Sequence, residues 1–332
     1  MDFAKDGFMR LLSPARHLFV LLLTSSALCT CALAADFGWE EIENHVGPAT
    51  SRATAISGDG RVVVGNVSYT DSSGPMDVSA SRGFAWVAAD DTYVLDQYFG
   101  RDYSNLTAVN ADGSVMVGTV FGTLSTEAFL ISSADSAIML LGNLGGTRSY
   151  ATGVSGDGQV VSGWGDLADG SFRAFRWTYV SAASPGVMET LDTLGGTNSF
   201  GRGISRDGHV IVGSAQTSAG VTTAAYWVDS GSATEIGILP GGGASAANAA
   251  NADGSVIVGE SEAGGRYRAF RWTSATNTMV DLGTLGGLES SAAGVSDDGS
   301  VVVGQAGQGG GVYNGFRWTE TTGMLSVDDW LR

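Results

Sequence analysis

An Asp-Gly turn with the same flanking residues occurs six times along the chain, and this repeat limits the folds that the sequence can adopt. One copy reads ATGVSGDGQVVSG, at residues 151–163. The turn aspartates recur every 45 to 53 residues, at Asp59, Asp112, Asp157, Asp207, Asp253 and Asp298. A period of this size indicates a repeat architecture in which each repeat is one supersecondary unit.

Each repeat can be divided into four short strands. Asp-Gly between two β-rich runs is a strong hairpin signal, because Gly adopts a positive φ without a Cβ clash. The run that follows the turn is β-branched, as in VVVG at residues 301–304, which is typical of a buried strand. A third strand carries aromatic residues, as in AFRWT at 269–273, and a fourth apolar segment such as DLGTLGG at 281–287 closes the repeat.

These strands predict an all-β fold, namely a β-propeller of about six four-stranded blades. Trp occurs in five of the six third strands, as blade-to-blade packing requires. Charged residues make up only 15 % of the chain, against about 25 % in typical domains, which agrees with strands buried on both faces. The alternative is a parallel β-solenoid, whose turns are shorter and lack a hairpin signal in each repeat.

The N-terminus has the pattern of a secretory signal peptide. A basic stretch (residues 1–17) precedes an apolar run (18–28) and the small-residue pattern Ala-Leu-Ala that ends at Ala34. We therefore predict a signal peptide at 1–34, cleaved between Ala34 and Ala35. The apolar run is too short for a membrane anchor, which needs about 20 residues. We expect the mature chain, 35–332, to be exported without a membrane span, to the outer-membrane surface, the extracellular space or the periplasm.

Composition excludes several classes of function. A single Lys and a formal charge of −17 argue against a nucleic-acid surface. Both cysteines, Cys29 and Cys31, lie in the predicted signal peptide, so the mature chain has no disulfide or thiolate site. The Asp-Gly turns lack the later carboxylates of a calcium loop, and neither His45 nor His209 has a second His or Cys close in sequence. We expect no metal, no cofactor and no catalytic residues.

The combined motifs resemble the HAF-type extracellular repeat family. They are the Leu-Gly-x-Leu-Gly-Gly segment, the Ser-x-Asp-Gly-x-Val turn and Ala-Phe-Arg-Trp-Thr, over roughly residues 53–331. The name-giving His-Ala-Phe is Arg-Ala-Phe here, at 173–175 and 268–270. The resemblance implies an exported bacterial repeat protein similar to the passenger regions of autotransporters, and it implies no biochemical activity.

Three arginines are candidate binding residues because they occupy the same slot between Phe and Trp: Arg176, Arg271 and Arg317. Guanidinium groups that converge from several blades could clamp a carboxylate. The alternative, favoured by the repeat symmetry, is that each arginine pairs locally with a neighbouring blade.

Three segments depart from the repeat and are further candidates for a binding site: an insertion at 66–82, residues 164–167 and a loop at 179–188.

The sequence thus favours an exported, monomeric, non-enzymatic interaction protein that binds a host, matrix or glycan ligand, with adhesion as one role. A secreted glycosidase-type enzyme and a structural repeat spacer are the alternatives, although no non-repeating pair of acids stands out for the enzyme. At the C-terminus, Ser326 and Asp329 resemble the start of a capped helix. The sequence stops in that first turn, so we expect either a truncated reading frame or a segment that closes the ring.

Overall fold

The computed structural model of the chain describes residues 50–71, 78–87, 92–94, 103–132, 137–180 and 186–332. In these ranges the regular secondary structure is almost entirely β-strand, as the repeat predicts. The predicted signal peptide and its Ala34–Ala35 cleavage site lie outside the described residues.

The first eight strands form one sheet that consists of two antiparallel meanders joined by a single parallel pair, Ser81 with Tyr103. The first meander contains β1 (Thr50–Ile56), β2 (Val62–Asp71), β3 (Val78–Val87) and β4 (Thr92–Val94). The second contains β5 (Tyr103–Val109), β6 (Val115–Phe121), β7 (Thr126–Ser132) and β8 (Ala137–Gly142).

The other four repeats form separate antiparallel sheets of four consecutive strands. The third sheet contains β9 (Ser149–Val154), β10 (Val160–Asp166), β11 (Phe172–Thr178) and β12 (Val187–Leu191). The fourth contains β13 (Gly195–Ile204), β14 (Val210–Thr217), β15 (Thr222–Val228) and β16 (Thr234–Gly237). The fifth contains β17 (Ser245–Ala250), β18 (Val256–Ala263), β19 (Arg266–Thr273) and β20 (Thr278–Asp281). The sixth contains β21 (Ser290–Val295), β22 (Val301–Gly307), β23 (Tyr313–Thr319) and β24 (Gly323–Ser326).

A short helix, α1 (Val327–Trp330), follows the last strand. The Ser326 hydroxyl caps it by accepting a hydrogen bond from the Asp329 backbone N–H at 3.0 Å, so the expected capped helix start is present. No helix in the described part of the chain is long and apolar enough to cross a membrane.

The sheets are arranged radially, with the first strand of each repeat on the inside. Each first strand packs against the first strand of the next repeat, from β1 through to β21. Five hydrophobic clusters are found among the described residues, and each lies between two consecutive repeats. The third-strand aromatics fill them, because Trp177, Trp227, Phe175, Phe270 and Phe316 are fully buried. Aromatic residues once per repeat thus hold the sheets together.

The Asp-Gly turns are held by hydrogen bonds within each turn. In the third repeat the buried Ser155 hydroxyl accepts from the Val160 N–H at 2.9 Å and donates to Asp157 Oδ1 at 2.6 Å. Asn110 and Asn251 accept the same backbone bond through Oδ1 in the second and fifth repeats. All six turn glycines have φ between 72° and 80°, a region that disfavours residues with a Cβ.

The fourth strands end earlier than the sequence pattern predicts. They stop at Gly142, Leu191, Gly237 and Asp281. The Leu-Gly-Gly residues that were expected to belong to them lie in the connections to the next repeat at 144–146 and 285–287, whereas Gly195 and Gly196 begin β13. Positive φ at Gly145 and Gly286 suits such connections.

The insertion in the first repeat lengthens a hairpin. Residues 66–71 and 78–82 continue β2 and β3, which pair in register as far as Asp71 with Val78. Most of the insertion therefore lies in two paired strands rather than in a long loop. Residues 72–77 and residues 181–185 of the third-repeat segment lie outside the described ranges.

Candidate functional site

The sheets have two ends. The turn end carries the Asp-Gly turns, with exposed polar side chains such as Arg61, Gln159 and His209. The opposite end, called the loop end here, carries the connections between the second and third strands. Exposed apolar side chains occur at both ends, with Val180, Val187 and Val228 at the turn end and Leu124, Val221, Tyr267, Leu288, Val312 and Tyr313 at the loop end. An exposed apolar surface is informative because it commonly marks an interaction site.

An aromatic cluster of five partly buried rings lies at the loop end: Phe121, Tyr150, Trp164, Phe172 and Phe200. Tyr150 and Trp164 stack with their ring centroids 4.2 Å apart and an interplanar angle of 24°. Trp164 presents its edge to Phe172 at 5.6 Å and to Phe200 at 5.3 Å. Such offset and edge-to-face contacts fix the orientation of the rings.

Strand pairing explains the position of the cluster. Tyr150 on β9 and Trp164 on β10 are direct cross-strand partners, and Phe200 occupies on β13 the slot that Tyr150 occupies on β9. The same first-strand slot holds Asn105, Ala246 and Ser291 in other repeats. The aromatic cluster therefore breaks the repeat symmetry, whereas the buried third-strand aromatics follow it.

Arg148 lies at the edge of the aromatic cluster. Its guanidinium carbon stands 5.2 Å from the centroid of the Phe172 ring, and its Nε donates to Asp166 Oδ2 at 3.1 Å. Asp166 is only 5 % exposed, and it also accepts from the backbone N–H groups of Thr147 and Arg148. Burial raises the pKa of Asp166, but the hydrogen bonds and the charge of Arg148 outweigh burial, so the pKa lies below its usual value.

A cleft of about 410 Å³ adjoins the aromatic cluster through Phe121, whose ring centroid is 6.4 Å from that of Tyr150. Its other lining residues come from β2, β3 and β5: Asn66, Ser81, Tyr103, Ser104 and Asn105. The cleft and the rings together combine apolar surface with a few polar groups, as small-molecule sites do.

Comparison with known proteins identifies the fold that carries this site. No protein-family model and no curated protein sequence matches the chain. Among solved structures, the β-propeller domain of the Trilobed protease from Pyrococcus furiosus has a TM-score of 0.59 at 9 % identity, with 84 % of each chain covered. The chain folds as a β-propeller.

Two TolB structures are also similar to this propeller. A putative TolB from Agrobacterium tumefaciens has a TM-score of 0.50 at 19 % identity, over 71 % of this chain and 81 % of that one. TolB from Acinetobacter baumannii has a TM-score of 0.46 at 16 % identity, over 70 % of this chain and 53 % of that one. The propeller thus spans about half of the second TolB chain. Identities this low bear on the fold alone.

The three predicted binding arginines are not brought together in the propeller. Arg176 donates to the Gly208 carbonyl of the next repeat at 2.7 Å and lies 3.8 Å from Asp229. Arg271 donates to the Gly299 carbonyl, again in the next repeat, at 3.2 Å. The Arg317 guanidinium stands 5.3 Å from the Trp330 ring centroid. Arg176 and Arg271 therefore make the same kind of contact with the turn glycine of the next repeat, and Arg317 contacts the C-terminal helix instead.

His209 lies at the turn end, away from the aromatic cluster. Its Nδ1 is 2.8 Å from Asp229 Oδ1, and this hydrogen bond together with the carboxylate charge raises the pKa of His209 above its usual value. Within the described residues, no three His, Cys, Asp or Glu side chains are grouped closely enough to hold a metal ion.

The sequence contained only part of the signal for this site. Residues 164–167 stand out as a departure from the repeat, and Trp164 belongs to them. Tyr150 and Phe200 belong to no candidate segment of the sequence, although both are aromatic in a slot that is small or polar in the fifth and sixth repeats. Alignment of the first strands by their bulges would have revealed that slot.

Proposed function

We propose that this chain is an exported, non-enzymatic β-propeller of six blades that binds a glycan at the aromatic cluster. The observation that carries the proposal is the stacked Tyr150–Trp164 pair, which is partly exposed and belongs to one repeat only. The large rings that pack between blades recur in the repeats and are buried. The Tyr150–Trp164 pair is found in one repeat only and is partly exposed.

The chemistry of the cluster suits a carbohydrate. The C–H faces of a sugar ring pack on aromatic rings, while its hydroxyl groups need donors and acceptors nearby. The cleft supplies these through Asn66 and Asn105, whose Oδ1 atoms accept backbone N–H groups at 3.0 and 3.1 Å. No hydrogen bond is made by their Nδ2 groups within the described part of the chain, and both residues line the cleft. Apolar platforms with few polar groups give orientation and specificity.

Blade number and location are part of the same proposal. Six meanders with equivalent registers support six blades. The signal-peptide pattern and the resemblance to HAF-type repeats support export, as a monomer, to the outer surface or the extracellular space, where an autotransporter-like passenger would meet a host or matrix glycan. A role in adhesion follows from binding at that location.

A glycan array combined with a panel of glycosidase substrates tests the proposal on the purified protein. We expect binding without turnover. Trp164→Ala should abolish binding, whereas Tyr267→Ala, which removes an exposed tyrosine of another repeat at the same end, should leave it unchanged. Melting temperatures establish that both variants are folded. Turnover of any substrate would indicate an enzyme instead, and a lack of binding to every glycan would favour a structural spacer.

A further inference from the structure

We propose that the ligand of the aromatic cluster carries a carboxylate, as a uronic-acid sugar does, and that Arg148 binds it. The inference rests on the proposed glycan-binding function and narrows its ligand class. The observation that supports it is the position of the Arg148 guanidinium group, which contacts protein groups on two sides and is exposed on the third.

The fixed sides are formed by Asp166 and Phe172. Nε donates to Asp166 Oδ2 at 3.1 Å, and the guanidinium carbon lies 5.2 Å from the Phe172 ring centroid. The two terminal nitrogens of Arg148 have no partner among the described residues, and its side chain is 46 % exposed. A guanidinium with two free N–H groups in one plane binds a carboxylate through two parallel hydrogen bonds.

Asp166 positions Arg148 and remains ionised. The carboxylate is buried, and its pKa is lowered although burial opposes this. Gln216 and Glu262 occupy the equivalent slot, and each accepts a backbone N–H, from Thr197 near the start of β13 and from Gly243 just before β17. A polar residue in this slot is therefore a repeated structural feature. The arginine next to it is specific to the third repeat.

Arg148 itself occupies a slot that holds no other cation. The equivalent residues in the other repeats are Thr50, Tyr103, Asn198, Ala244 and Glu289. A neutral sugar stacked on Tyr150 and Trp164 would leave the free edge of the guanidinium unused. A sugar with a carboxylate at its edge would occupy both surfaces.

The overall charge limits the form of this ligand. A formal charge of −17 repels a long polyanion at a distance, but repulsion between exposed charges is screened beyond about 8 Å in physiological salt. We therefore expect short oligosaccharides with isolated carboxylates to bind better than uniformly charged polymers.

Matched pairs of oligosaccharides test the inference. Each pair consists of a short uronic-acid oligosaccharide and the same compound with its carboxylates reduced to alcohols, titrated into the full protein by calorimetry. We expect the acidic member to bind about tenfold more tightly, the value of one strong charged hydrogen-bond pair. Arg148→Gln should remove this preference, so that the acidic and the reduced member bind equally. Arg148→Lys retains a positive charge beside Asp166, and we expect it to keep only part of the preference for the acidic member.

The outcomes distinguish the two proposals. Equal affinity of the wild-type protein for both members of every pair would overturn the carboxylate inference and leave glycan binding intact. A preference that survives Arg148→Gln with the melting temperature unchanged would also overturn it. Failure to bind any member, acidic or reduced, would count against glycan binding itself.

Discussion

Arg206 in the turn of the fourth repeat pairs with Asp297 in the turn of the sixth, although the fifth repeat lies between them. Both residues directly precede a turn aspartate. The same position holds Gly58, Ala111, Gly156 and Ala252 in the other repeats. Small residues at four of six positions leave room on the axis for one long side chain, which Arg206 supplies.

Backbone hydrogen bonds link the turns around this axis. Ala111 N–H donates to the Gly156 carbonyl at 3.2 Å, and Gly156 N–H donates to the Arg206 carbonyl at 2.7 Å. Similar bonds link the first turn to the second, the fourth to the fifth and the fifth to the sixth. Arg206 also approaches the first repeat, since a Cβ on Gly58 would lie 2.8 Å from its terminal nitrogen. Its side chain therefore lies next to the turn of the first repeat and pairs with the turn of the sixth.

The coupling between Arg206 and Asp297 is measurable. We expect Arg206→Ala and Asp297→Ala to share a coupling free energy of about 0.2–1 kcal/mol in a double-mutant cycle of urea unfolding, because both side chains are partly exposed. The coupling should weaken in 1 M salt. Strictly additive effects of the two substitutions at low salt would show that the pair does not stabilise the ring.

Ser155 provides a test of the turn itself. Ser155→Ala removes the acceptor of the buried Val160 N–H, so we expect it to lower the free energy of unfolding by about 1–3 kcal/mol. Ser155→Asn is the matched control, because Asn110 and Asn251 accept the same bond in their own repeats. We expect the Asn variant to lose clearly less stability in chemical denaturation. Equal losses would mean that this bond contributes little.

These turns and the aromatic core could be predicted because they depend on local sequence. The Asp-Gly-x-Val pattern specifies a hairpin in each repeat. A third-strand Trp, such as Trp177 or Trp227, follows the turn aspartate at a fixed distance. The whole aromatic cluster could not be predicted in the same way, since Phe200 of the fourth repeat meets Trp164 of the third only after the two repeats pack side by side. Arg206 and Asp297 are 91 residues apart, and the number and closure of the repeats decide their contact.

Gly213 tests why every second strand contains a glycine. A Cβ at this position would lie 1.9 Å from the Phe200 carbonyl oxygen, because the bulge in β13 brings that carbonyl close. We expect Gly213→Ala to destabilise the protein by about 1–3 kcal/mol or more in thermal unfolding. Gly294→Ala serves as control, since its Cβ would have its nearest neighbour at 3.5 Å, and it should be nearly neutral. Equal stability of the two variants would contradict the close approach.

Substitution of the arginines between Phe and Trp in the third strands distinguishes a structural role from a ligand-binding role. Arg176 is 11 % exposed and hydrogen-bonds the buried Gly208, so Arg176→Ala should cost about 1–3 kcal/mol of stability. Arg317→Ala should cost less, about 0.5–1 kcal/mol, because it removes a cation–π contact with the exposed Trp330. Calorimetric melting measures both. If the arginines instead formed a ligand clamp, the two variants would keep their melting temperatures and lose the ligand.

Acid should weaken the turns, and Asp298 is the residue at which to measure this. Hydrogen bonds from the Ser296 hydroxyl and from the backbone and hydroxyl of Ser300 lower the pKa of Asp298 from 3.8 to about 2. A depressed pKa in the folded state stabilises the fold above the unfolded-state pKa, and this contribution is lost as the pH falls through the folded-state value. We expect the melting temperature of the wild-type protein to exceed that of Asp298→Asn above pH 5, with the gap narrowing between pH 4 and pH 2. The amide can accept the same backbone bond but cannot titrate. A gap that is independent of pH over this range would show that ionisation of Asp298 does not contribute to the stability of the turn.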